Sequence, residues 1–595
     1  MRKWSGFVAI LVMSCMFLSG CGHETFYRDP DSPAASHVPP ATADTSGMDF
    51  TFSDKDLSGE YSETQSTPVT SLTSTDTITK AGTYVFTGEI KDTMITVAAG
   101  DQDKVYLVLD NVTLSNSQGP AIYIQSADKV FITLKDGTEN TISDGNAYTV
   151  TDGDSTLDGA IFSKADLTVN GKGTLRLNGN NKHGIVSKDD LVVTVGVLDV
   201  TAKNVALNGK DCVKMSGASG TIIAGSDGIR SDNDTDAARG YVYIEDCNLK
   251  ITAGNDGIQA ETVLKLGGDN QIEVKTGGGS SASLRYSTES YKGFKAGSDV
   301  LISGGTYKID SQDDCIHSNN TVSISGGTFT LASGDDGIHG DTDLSVSGGK
   351  ISISKSYEGL EASRLLISGG TIDLIASDDG LNAAGGNDSS GMGGRPGQGG
   401  FSASSGSIII SGGYTLVNAS GDGIDSNGTI EVSGGVTLVS GPTNNGNGAF
   451  DYDGTATVTG GVLIALGSSG MAQGFSSAEN QGAIYVAFTA QSGNTSFALC
   501  DDAGKVVASF TPAKAYQSVA ITAPGIQSGE SYTIVVGGTV SGCDENGYAQ
   551  NTTISGGTTL GSLTMSSNLY GSSGGMGGPG SMGGGPGGRP GRPGW

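Results

Sequence analysis

The sequence predicts an all-β protein whose body is a long parallel β-helix, and its internal repeats carry that prediction. Stretches that end in Ser-Gly-Gly recur through the middle of the chain, each followed by an Asp-Gly-like signature. The apolar residue of this second signature, called the anchor below, falls at Ile316, Ile338, Leu360 and Leu381. These positions are 22, 22 and 21 residues apart, and a period of this length indicates a solenoid.

Each repeat contains strand and turn patterns but no helical one. Short alternations of apolar and polar residues indicate strands, whereas Gly-Gly and Asp-Gly indicate turns. The Leu and Asn pattern of leucine-rich repeats is absent, and no stretch has a helical period of useful length. The remaining arrangement has about three short strands per coil of about 22 residues, with neighbouring coils paired in register. Equivalent positions then stack in columns with a spacing of about 4.8 Å.

The composition agrees with many short buried strands and bounds the partners. The 595 residues include 96 Gly, and 36% of the chain is hydrophobic although only 6% is aromatic. The net charge of -29 disfavours nucleic acid. It would also repel an acidic polysaccharide unless cations lay between the two. No Cys-x-x-Cys occurs, so redox and zinc motifs have no support, although Cys500 and Cys543 could pair.

The N-terminus predicts export and a lipid anchor. Residues 1–20 combine an early positive charge with an apolar run too short to span a bilayer, as a signal peptide does. Leu18-Ser-Gly-Cys21 resembles the lipobox of bacterial lipoproteins, which implies lipid on Cys21. The alternative is an ordinary signal followed by a chance Cys. The Ser-, Thr-, Asp- and Pro-rich residues 21–70 predict a flexible tether that holds the body outside the membrane.

The rest of the chain divides by pattern into three parts. Residues 71–478 are predicted to form the β-helix, interrupted by a disordered Gly-rich insert at 385–405. Residues 479–566 alternate as antiparallel strands do, and predict a small β cap that closes the end of the solenoid. The Gly-, Pro- and Met-rich residues 567–595 predict a disordered tail.

Acidic residues recur two positions before the anchor and form a predicted column. Stacked carboxylates about 4.8 Å apart repel by roughly 3 kcal/mol per pair at an effective dielectric near 20. Calcium between them would relieve this repulsion, whereas capping of a tight turn would explain one Asp per coil without an ion. Candidate calcium ligands in the columns and in the loop after Ser231 are Asp227, Asp232, Asp234, Asp256, Asp313, Asp314, Asp335, Asp336, Glu358, Asp378 and Asp379.

A second column follows the anchor and changes from basic to acidic along the chain. Small residues occupy the next position, so the alternation predicts that the charged column faces solvent and the small one faces inward. Neighbouring His317 and His339 could hold a transition metal, although a solvated polar ladder is the alternative. Candidate carbohydrate-binding residues in this column are Lys214, Arg230, Lys295, His317, His339 and Glu361.

Six ordered motifs resemble those of the bacterial family of carbohydrate-binding parallel β-helix proteins. This family includes a clostridial member that binds cellulose and polygalacturonate. The resemblance covers roughly residues 70–560 and implies a right-handed, pectate-lyase-like β-helix, bound calcium and no demonstrated cleavage. Cys315 in place of Gly and Lys292 in place of an acid put metal binding at those coils in doubt. The motifs are Ser226-Asp-Gly-Ile-Arg-Ser-Asp-Asn-Asp234, Asn255-Asp-Gly-Ile-Gln-Ala-Glu-Thr262, Tyr291-Lys-Gly-Phe-Lys-Ala-Gly297, Asp335-Asp-Gly-Ile-His339, Ser356-Tyr-Glu-Gly-Leu-Glu361 and Ser377-Asp-Asp-Gly-Leu-Asn-Ala-Ala-Gly-Gly386.

These observations predict a monomeric, non-catalytic, calcium-dependent carbohydrate-binding lipoprotein of the cell surface. Acidic polysaccharide such as polygalacturonate or pectin is favoured over cellulose, because Trp4 and Trp595 are the only Trp residues and Tyr is dispersed. One alternative is an enzyme. A calcium-dependent lyase would use Arg230 or Lys295 as its base, and a hydrolase would use the Asp313–Asp314 pair. Recurrence of the acids in every coil argues against a unique catalytic site. A surface adhesin is the second alternative.

Overall fold

Over the residues that the structure describes, the protein is all-β, as predicted, apart from one helical turn at Asp54–Leu57 and a 3-10 turn at Glu63–Gln65. The computed structural model describes residues 43–69, 76–150, 152–153, 156–283, 289–383 and 406–571. The predicted signal peptide, Cys21, the Gly-rich insert and most of the predicted tail lie outside the described residues. Within the described ranges, no helix is long and apolar enough to cross a membrane.

Three kinds of strand succeed one another in each repeat. The anchor strands are Thr77–Ile78, Ile95–Ala98, Ile122–Ser126, Gly159–Ser163, His183–Ser187, Leu207–Gly209, Ile229–Ser231, Ile258–Ala260, Phe294–Ala296, Ile316–Ser318, Leu381–Ala383, Ile424–Ser426 and Asp451–Tyr452, and two more, Ile338–Val346 and Leu360–Ile367, run on into the second kind. The second strands are Ser66–Val69, Lys129–Leu134, Cys212–Ser216, Tyr241–Glu245, Val263–Gly267, Asp299–Ile302, Thr321–Ile324, Thr455–Val458 and Ser477–Ala478.

The third strands complete the repeat. They are Glu139–Ser143, Ser219–Ala224, Asn248–Ala253, Gln271–Thr276, Thr306–Ser311, Thr328–Ser333, Lys350–Lys355, Thr371–Ile375 and Val462–Gly467. In six repeats the second and third strands are continuous: Gly82–Ile90, Lys104–Ser115, Asp166–Gly179, Asp190–Ala202, Ser407–Asn418 and Thr429–Ser440.

Each strand pairs in parallel with the equivalent strand one repeat later. The anchors confirm the register, because Ile316 pairs with Ile338, Ile338 with Leu360 and Leu360 with Leu381. All four side chains are fully buried in one continuous apolar core. Burial of such a side chain stabilises the fold by about 1.5–3 kcal/mol. The small residues two positions from the register anchors also face inward, as predicted, and Ala296 and Ala362 belong to this core.

Glycine is required at two points of the repeat. The second Gly of Ser-Gly-Gly has a positive φ, for example +94° at Gly305 and +103° at Gly327, where other residues are strained. The Gly before the anchor allows neighbouring repeats to approach closely. A Cβ on Gly337 would lie 2.6 Å from the carbonyl oxygen of Gly359. The two signatures that define the period therefore have backbone causes.

The C-terminal segment pairs differently from the repeats. Its strands are Ala483–Gln491, Phe497–Asp501, Lys505–Phe510, Tyr516–Thr522, Ser531–Val536, Thr539–Val540, Ala549–Ser555, Thr558–Thr564 and Leu569–Tyr570. Tyr516–Thr522 pairs antiparallel with the last third strand, Val462–Gly467. A six-stranded antiparallel sheet follows, with Phe497–Asp501 near its centre. Cys500 and Cys543 are both free thiols.

The tether prediction is wrong for the described residues 43–69, because they pack on the repeats. Ser66–Val69 pairs in parallel with the start of Gly82–Ile90. Residues 43–58, called the N-terminal strap below, lie against the second strands. The Tyr241 hydroxyl donates to Asp49 O at 2.8 Å, and the buried Asp56 carboxylate accepts from Lys129 Nζ at 2.7 Å. A backbone carbonyl and a buried carboxylate of this polar segment therefore hold it on the repeats.

Replacement of Asp56 by Asn is expected to release the strap. Burial raises the pKa of Asp56, but hydrogen bonds from Lys129, Ser53 and Thr168 outweigh it and lower the pKa to about 2. This ion pair therefore stabilises docking above about pH 4, and its contribution disappears as the pH falls from about 4 to 2. We expect the substitution to weaken docking by about 3 kcal/mol.

Hydrogen exchange of residues 43–58 measures this release. The matched control is Asp54→Asn, which removes an exposed carboxylate from the same helical turn. Equal protection in the two variants would contradict the importance assigned to the buried ion pair.

Candidate functional site

The acids two positions before the anchor form a hydrogen-bond ladder along the anchor strands. One carboxylate oxygen of each accepts the backbone N–H of the corresponding residue one repeat later. The distances are 3.2 Å from Asp256 N to Asp227 Oδ1, 2.9 Å from Asp336 N to Asp314 Oδ1 and 3.2 Å from Glu358 N to Asp336 Oδ1. Turn capping, the ion-free alternative, therefore accounts for one oxygen of each of these acids.

The second oxygen of four of these acids faces a base in the column after the anchor. The closest nitrogen–oxygen distances run from 2.9 to 3.5 Å. The pairs are Arg230 with Asp227, Lys295 with Asp256, His317 with Asp314 and His339 with Asp336. Side chains therefore offset much of the predicted repulsion in these repeats, where the sequence had predicted calcium.

Lys292 supplies a further cation where the column lacks an acid. Its ammonium lies 2.6 Å from Asp314 Oδ2 and 3.0 Å from Asp313 Oδ1. Oxygens of Asp313, Asp314 and Asp335 lie within 4.8 Å of one another. An ammonium thus occupies the neighbourhood of the paired acids that the sequence suggested for calcium or for hydrolysis.

The two histidines are buried, so the prediction that they face solvent is wrong. Their rings stack with centroids 4.9 Å apart. The side chain of His339 is 0% exposed and contacts three carboxylates, those of Asp336, Asp341 and Glu361. These carboxylates outweigh the effect of burial and raise the pKa of His339. Alternation correctly turned both rings away from the core, but side chains of neighbouring repeats cover them.

Three acids near the C-terminal end of the repeats, two from the ladder and one from the column after the anchor, lie together, and no ion pair joins them to a base of the described residues. Oxygens of Asp379, Asp422 and Asp425 lie within 4.8 Å of one another. Burial, followed by neighbouring carboxylates, raises the pKa of Asp379 to about 8 and that of Asp425 to about 7. Burial and Asp451 raise the pKa of Asp422 to about 6, against an opposing hydrogen bond from Gly448 N–H. We call Asp379, Asp422 and Asp425 the acid cluster.

Asn382 adds an unpartnered oxygen next to this cluster. It pairs in register with Asp425 and is 4% exposed. Its Nδ2 donates to Glu358 Oε2 at 2.5 Å, but its buried Oδ1 has no hydrogen-bond partner among the described residues. Asp422 and Asp425 lie outside the predicted set of metal ligands. The sequence signal for Asp425 is the change from bases to acids after the anchor, whereas Asp422 continues the acidic column before it.

Lys214 does not belong to the predicted carbohydrate-binding column. Leu207, not Val213, pairs with the anchor Ile229, so Asn208 is the neighbour of Arg230. Lys214 lies instead on a second strand, is buried, and donates to Thr51 O of the N-terminal strap at 2.8 Å. The Asp-x-Val pattern at 211–213 imitates the anchor signature, and this imitation shifted the predicted register.

The other predicted site residues have separate surroundings. Asp232 pairs with Arg230 at 2.8 Å, whereas Asp234 is exposed. Asp378 contacts the Tyr357 hydroxyl. Of the predicted carbohydrate-binding column, Arg230, Lys295 and Glu361 are half-buried and retain some access to solvent.

Comparisons with known proteins support a carbohydrate-binding role in general terms. Residues 73–337 match the family model described as "Carbohydrate-binding domain-containing protein". A protein of that same description from Acetivibrio thermocellus is 37% identical over 202 residues, which are 34% of this chain and 70% of the relative.

A solved structure is also similar in sequence. It is described as the polysaccharide lyase-like protein from C. thermocellum in a gadolinium derivative. It is 36% identical, and the match covers 34% of this chain and 82% of that chain with a TM-score of 0.33. On the extent of the match to the Acetivibrio relative, the chain belongs to the family of carbohydrate-binding domain-containing proteins.

Proposed function

We propose that this chain is a non-catalytic, calcium-dependent carbohydrate-binding protein of the bacterial cell surface that recognises acidic polysaccharide such as polygalacturonate. The observation that carries the proposal is the acid cluster, Asp379, Asp422 and Asp425, whose carboxylates face no base among the residues that the structure describes. We also propose that the repeat array is a right-handed, pectate-lyase-like parallel β-helix. The parallel pairing of equivalent strands, repeat after repeat, supports this architecture.

Calcium suits the acid cluster because the cluster offers only oxygen. Ca²⁺ takes six to eight oxygen ligands at about 2.3–2.6 Å. Asp379, Asp422 and Asp425 would hold the ion, and the unpartnered Asn382 Oδ1 lies in the adjacent register position. Such a site leaves coordination positions for a sugar carboxylate or hydroxyl. The ion would also overcome the repulsion between a chain of net charge -29 and a polyuronate.

The ion pairs support binding without cleavage. A lyase needs a free base near the substrate, yet Arg230 is paired with Asp227 and Asp232, and Lys295 lies 3.5 Å from Asp256. A hydrolase needs one carboxyl group as acid and one as base, and the Asp313–Asp314 pair is bridged by the ammonium of Lys292.

Binding to polygalacturonate is expected to require calcium and to leave the polymer intact. A pull-down with and without chelator tests the first part, and assays for reducing ends and unsaturated products test the second. We expect Asp379→Asn with Asp422→Asn to weaken binding about tenfold or more. The matched control is Asp227→Asn, because Asp227 already faces Arg230.

Three results would contradict the proposal in different ways. New reducing ends or unsaturated products would indicate an enzyme. Binding that is undiminished after chelation would remove calcium from the mechanism. A lack of binding to polygalacturonate, pectin and cellulose would favour the surface-adhesin alternative.

We further propose that Cys21 carries lipid and holds a monomer on the outer side of the membrane. The support is the lipobox-like Leu18-Ser-Gly-Cys21. Cys21→Ser is expected to move the protein from the membrane fraction to the medium or the soluble envelope fraction. A variant that remains bound to the membrane would contradict this assignment, and light scattering of the mature protein measures its oligomeric state.

A further inference from the structure

His339 lies at the centre of a ligand set that differs from the acid cluster. Its Nδ1 is 2.8 Å from Glu361 Oε2 and 3.2 Å from Asp336 Oδ2. On the opposite side of the ring, Nε2 is 3.1 Å from Asp341 Oδ1. Asp336 and His339 are buried and Glu361 is half-buried, so Glu361 is the most exposed of these three residues.

The contact with Asp341 determines which ring nitrogen is available. A carboxylate accepts a hydrogen bond, so Asp341 holds a proton on Nε2 of the neutral imidazole. The lone pair of Nδ1 then faces Asp336 and Glu361. Two carboxylate oxygens and one imidazole lone pair converge on a space that requires a cation, either a proton or a metal ion. A carboxylate on the far nitrogen is also the partner that orients metal-binding histidines in proteins.

The spacing suits a small tetrahedral ion. With bond lengths of about 2.0–2.2 Å, the ligand atoms around Zn²⁺ lie about 3.3–3.5 Å apart. The observed nitrogen–oxygen separations of 2.8 and 3.2 Å are slightly shorter, and the three ligand atoms of Asp336, His339 and Glu361 lie within 4.8 Å of one another. A shift of a few tenths of an ångström would therefore accommodate the ion.

We propose that Asp336, His339 and Glu361 bind a divalent transition-metal ion of the zinc class, with Asp341 as the positioning residue for His339. One nitrogen and two oxygens leave the fourth position of a tetrahedral ion for water or another ligand. Imidazole distinguishes this site from the oxygen-only acid cluster, because it favours transition metals over calcium. We leave the stacked His317 outside the site, because its facing carboxylate, Asp314, already has the Lys292 ammonium as a cation at 2.6 Å.

Zinc titration of the mature full chain tests the site. The protein carries no polyhistidine tag and is saturated with Ca²⁺, so that Zn²⁺ competes for the acid cluster only weakly. We expect one equivalent of Zn²⁺ by calorimetry, and a tetrahedral absorption spectrum when Co²⁺ replaces it. His339→Gln and, separately, Glu361→Gln are expected to weaken binding about tenfold or more, and Asp341→Asn by about 10–100-fold.

His183→Gln is the matched control, because it removes another buried histidine beside a carboxylate, Asp158, in a distant repeat. Zinc binding that persists in His339→Gln, or that is lost equally in His183→Gln, would overturn the proposal, as would no binding by the unaltered chain. If His339→Gln does not fold, the half-buried Glu361→Gln decides. Asp379→Asn should leave zinc binding unchanged, so this test is independent of the proposed calcium site.

Discussion

Replacement of Lys292 by Met is expected to destabilise the neighbouring repeats by about 3–5 kcal/mol. The Lys292 ammonium is buried and lies between two carboxylates, 2.6 Å from Asp314 and 3.0 Å from Asp313. Burial raises the pKa of Asp314, but Lys292 and His317 outweigh it and hold this pKa well below its usual range. Without Lys292, the buried Asp314 and the half-buried Asp313 would lose their closest cation, and burial of unpaired charge is costly.

Lys295→Met is the matched control in the same repeat. Lys295 makes one longer contact, 3.5 Å to Asp256, and its side chain is 24% exposed, so its loss should cost less than that of Lys292, which contacts two carboxylates. The second variant, Lys292→Met with Asp314→Asn, should recover much of the stability because it removes charge of both signs.

Hydrogen exchange of Phe294–Ala296 and Ile316–Ser318 is the suitable measurement. Repeat arrays gain stability from nearest neighbours and can unfold segment by segment. Similar exchange in Lys292→Met and Lys295→Met would show that the buried ammonium is not required for the local fold.

The repeat could be predicted because its signatures have local backbone causes. The positive φ of Gly305 and the close approach at Gly337 both demand glycine, so the period is written directly in the sequence. Register was less certain where two apolar strands follow each other closely. Leu207 and Val213 are both apolar residues next to polar turns, so either could be the anchor of this repeat. The pairing of Leu207 with Ile229 identifies Leu207 as the anchor.

The charges of the site could be predicted only in part. Column order correctly brought His317 beside His339. Alternation within a strand gives the direction of a side chain, but it does not show whether neighbouring side chains cover it, and so both histidines were assigned to solvent. Column order also placed Asp422 next to Asp379, where the backbone N–H of Asp422 donates to Asp379 Oδ1 at 2.5 Å. The predicted calcium ligands nevertheless ended at Asp379, because column order alone does not show which acids lack a facing base.

Removal of calcium is expected to make the protein less stable at pH 8 than at pH 5.5. Burial and neighbouring carboxylates raise the folded-state pKa of Asp379 to about 8, of Asp425 to about 7 and of Asp422 to about 6. Unfolded Asp titrates near pH 4. The folded protein therefore binds more protons across this window. Their stabilising contribution is fully present below about pH 4 and is lost as the pH rises through the folded values.

Calcium should reverse this trend, because it replaces the protons on the same oxygens. With free Ca²⁺ at about 100 times its Kd, binding to the native state alone stabilises by about 2.7 kcal/mol. Melting curves at pH 5.5 and 8, each with chelator or with Ca²⁺, measure the effect. The largest difference between chelator and Ca²⁺ should occur at pH 8, where the acids are mostly ionised.

Asp379→Asn should flatten the pH dependence of the calcium-free protein and reduce its response to Ca²⁺, since it removes the acid with the highest pKa in the cluster. Asp227→Asn is the control, because that acid caps the same kind of turn but faces Arg230. It should leave the calcium response intact even if it lowers overall stability. Equal calcium responses in the two variants would place the ion elsewhere. No response in the unaltered protein would leave protons as the only cations that relieve the repulsion within the acid cluster.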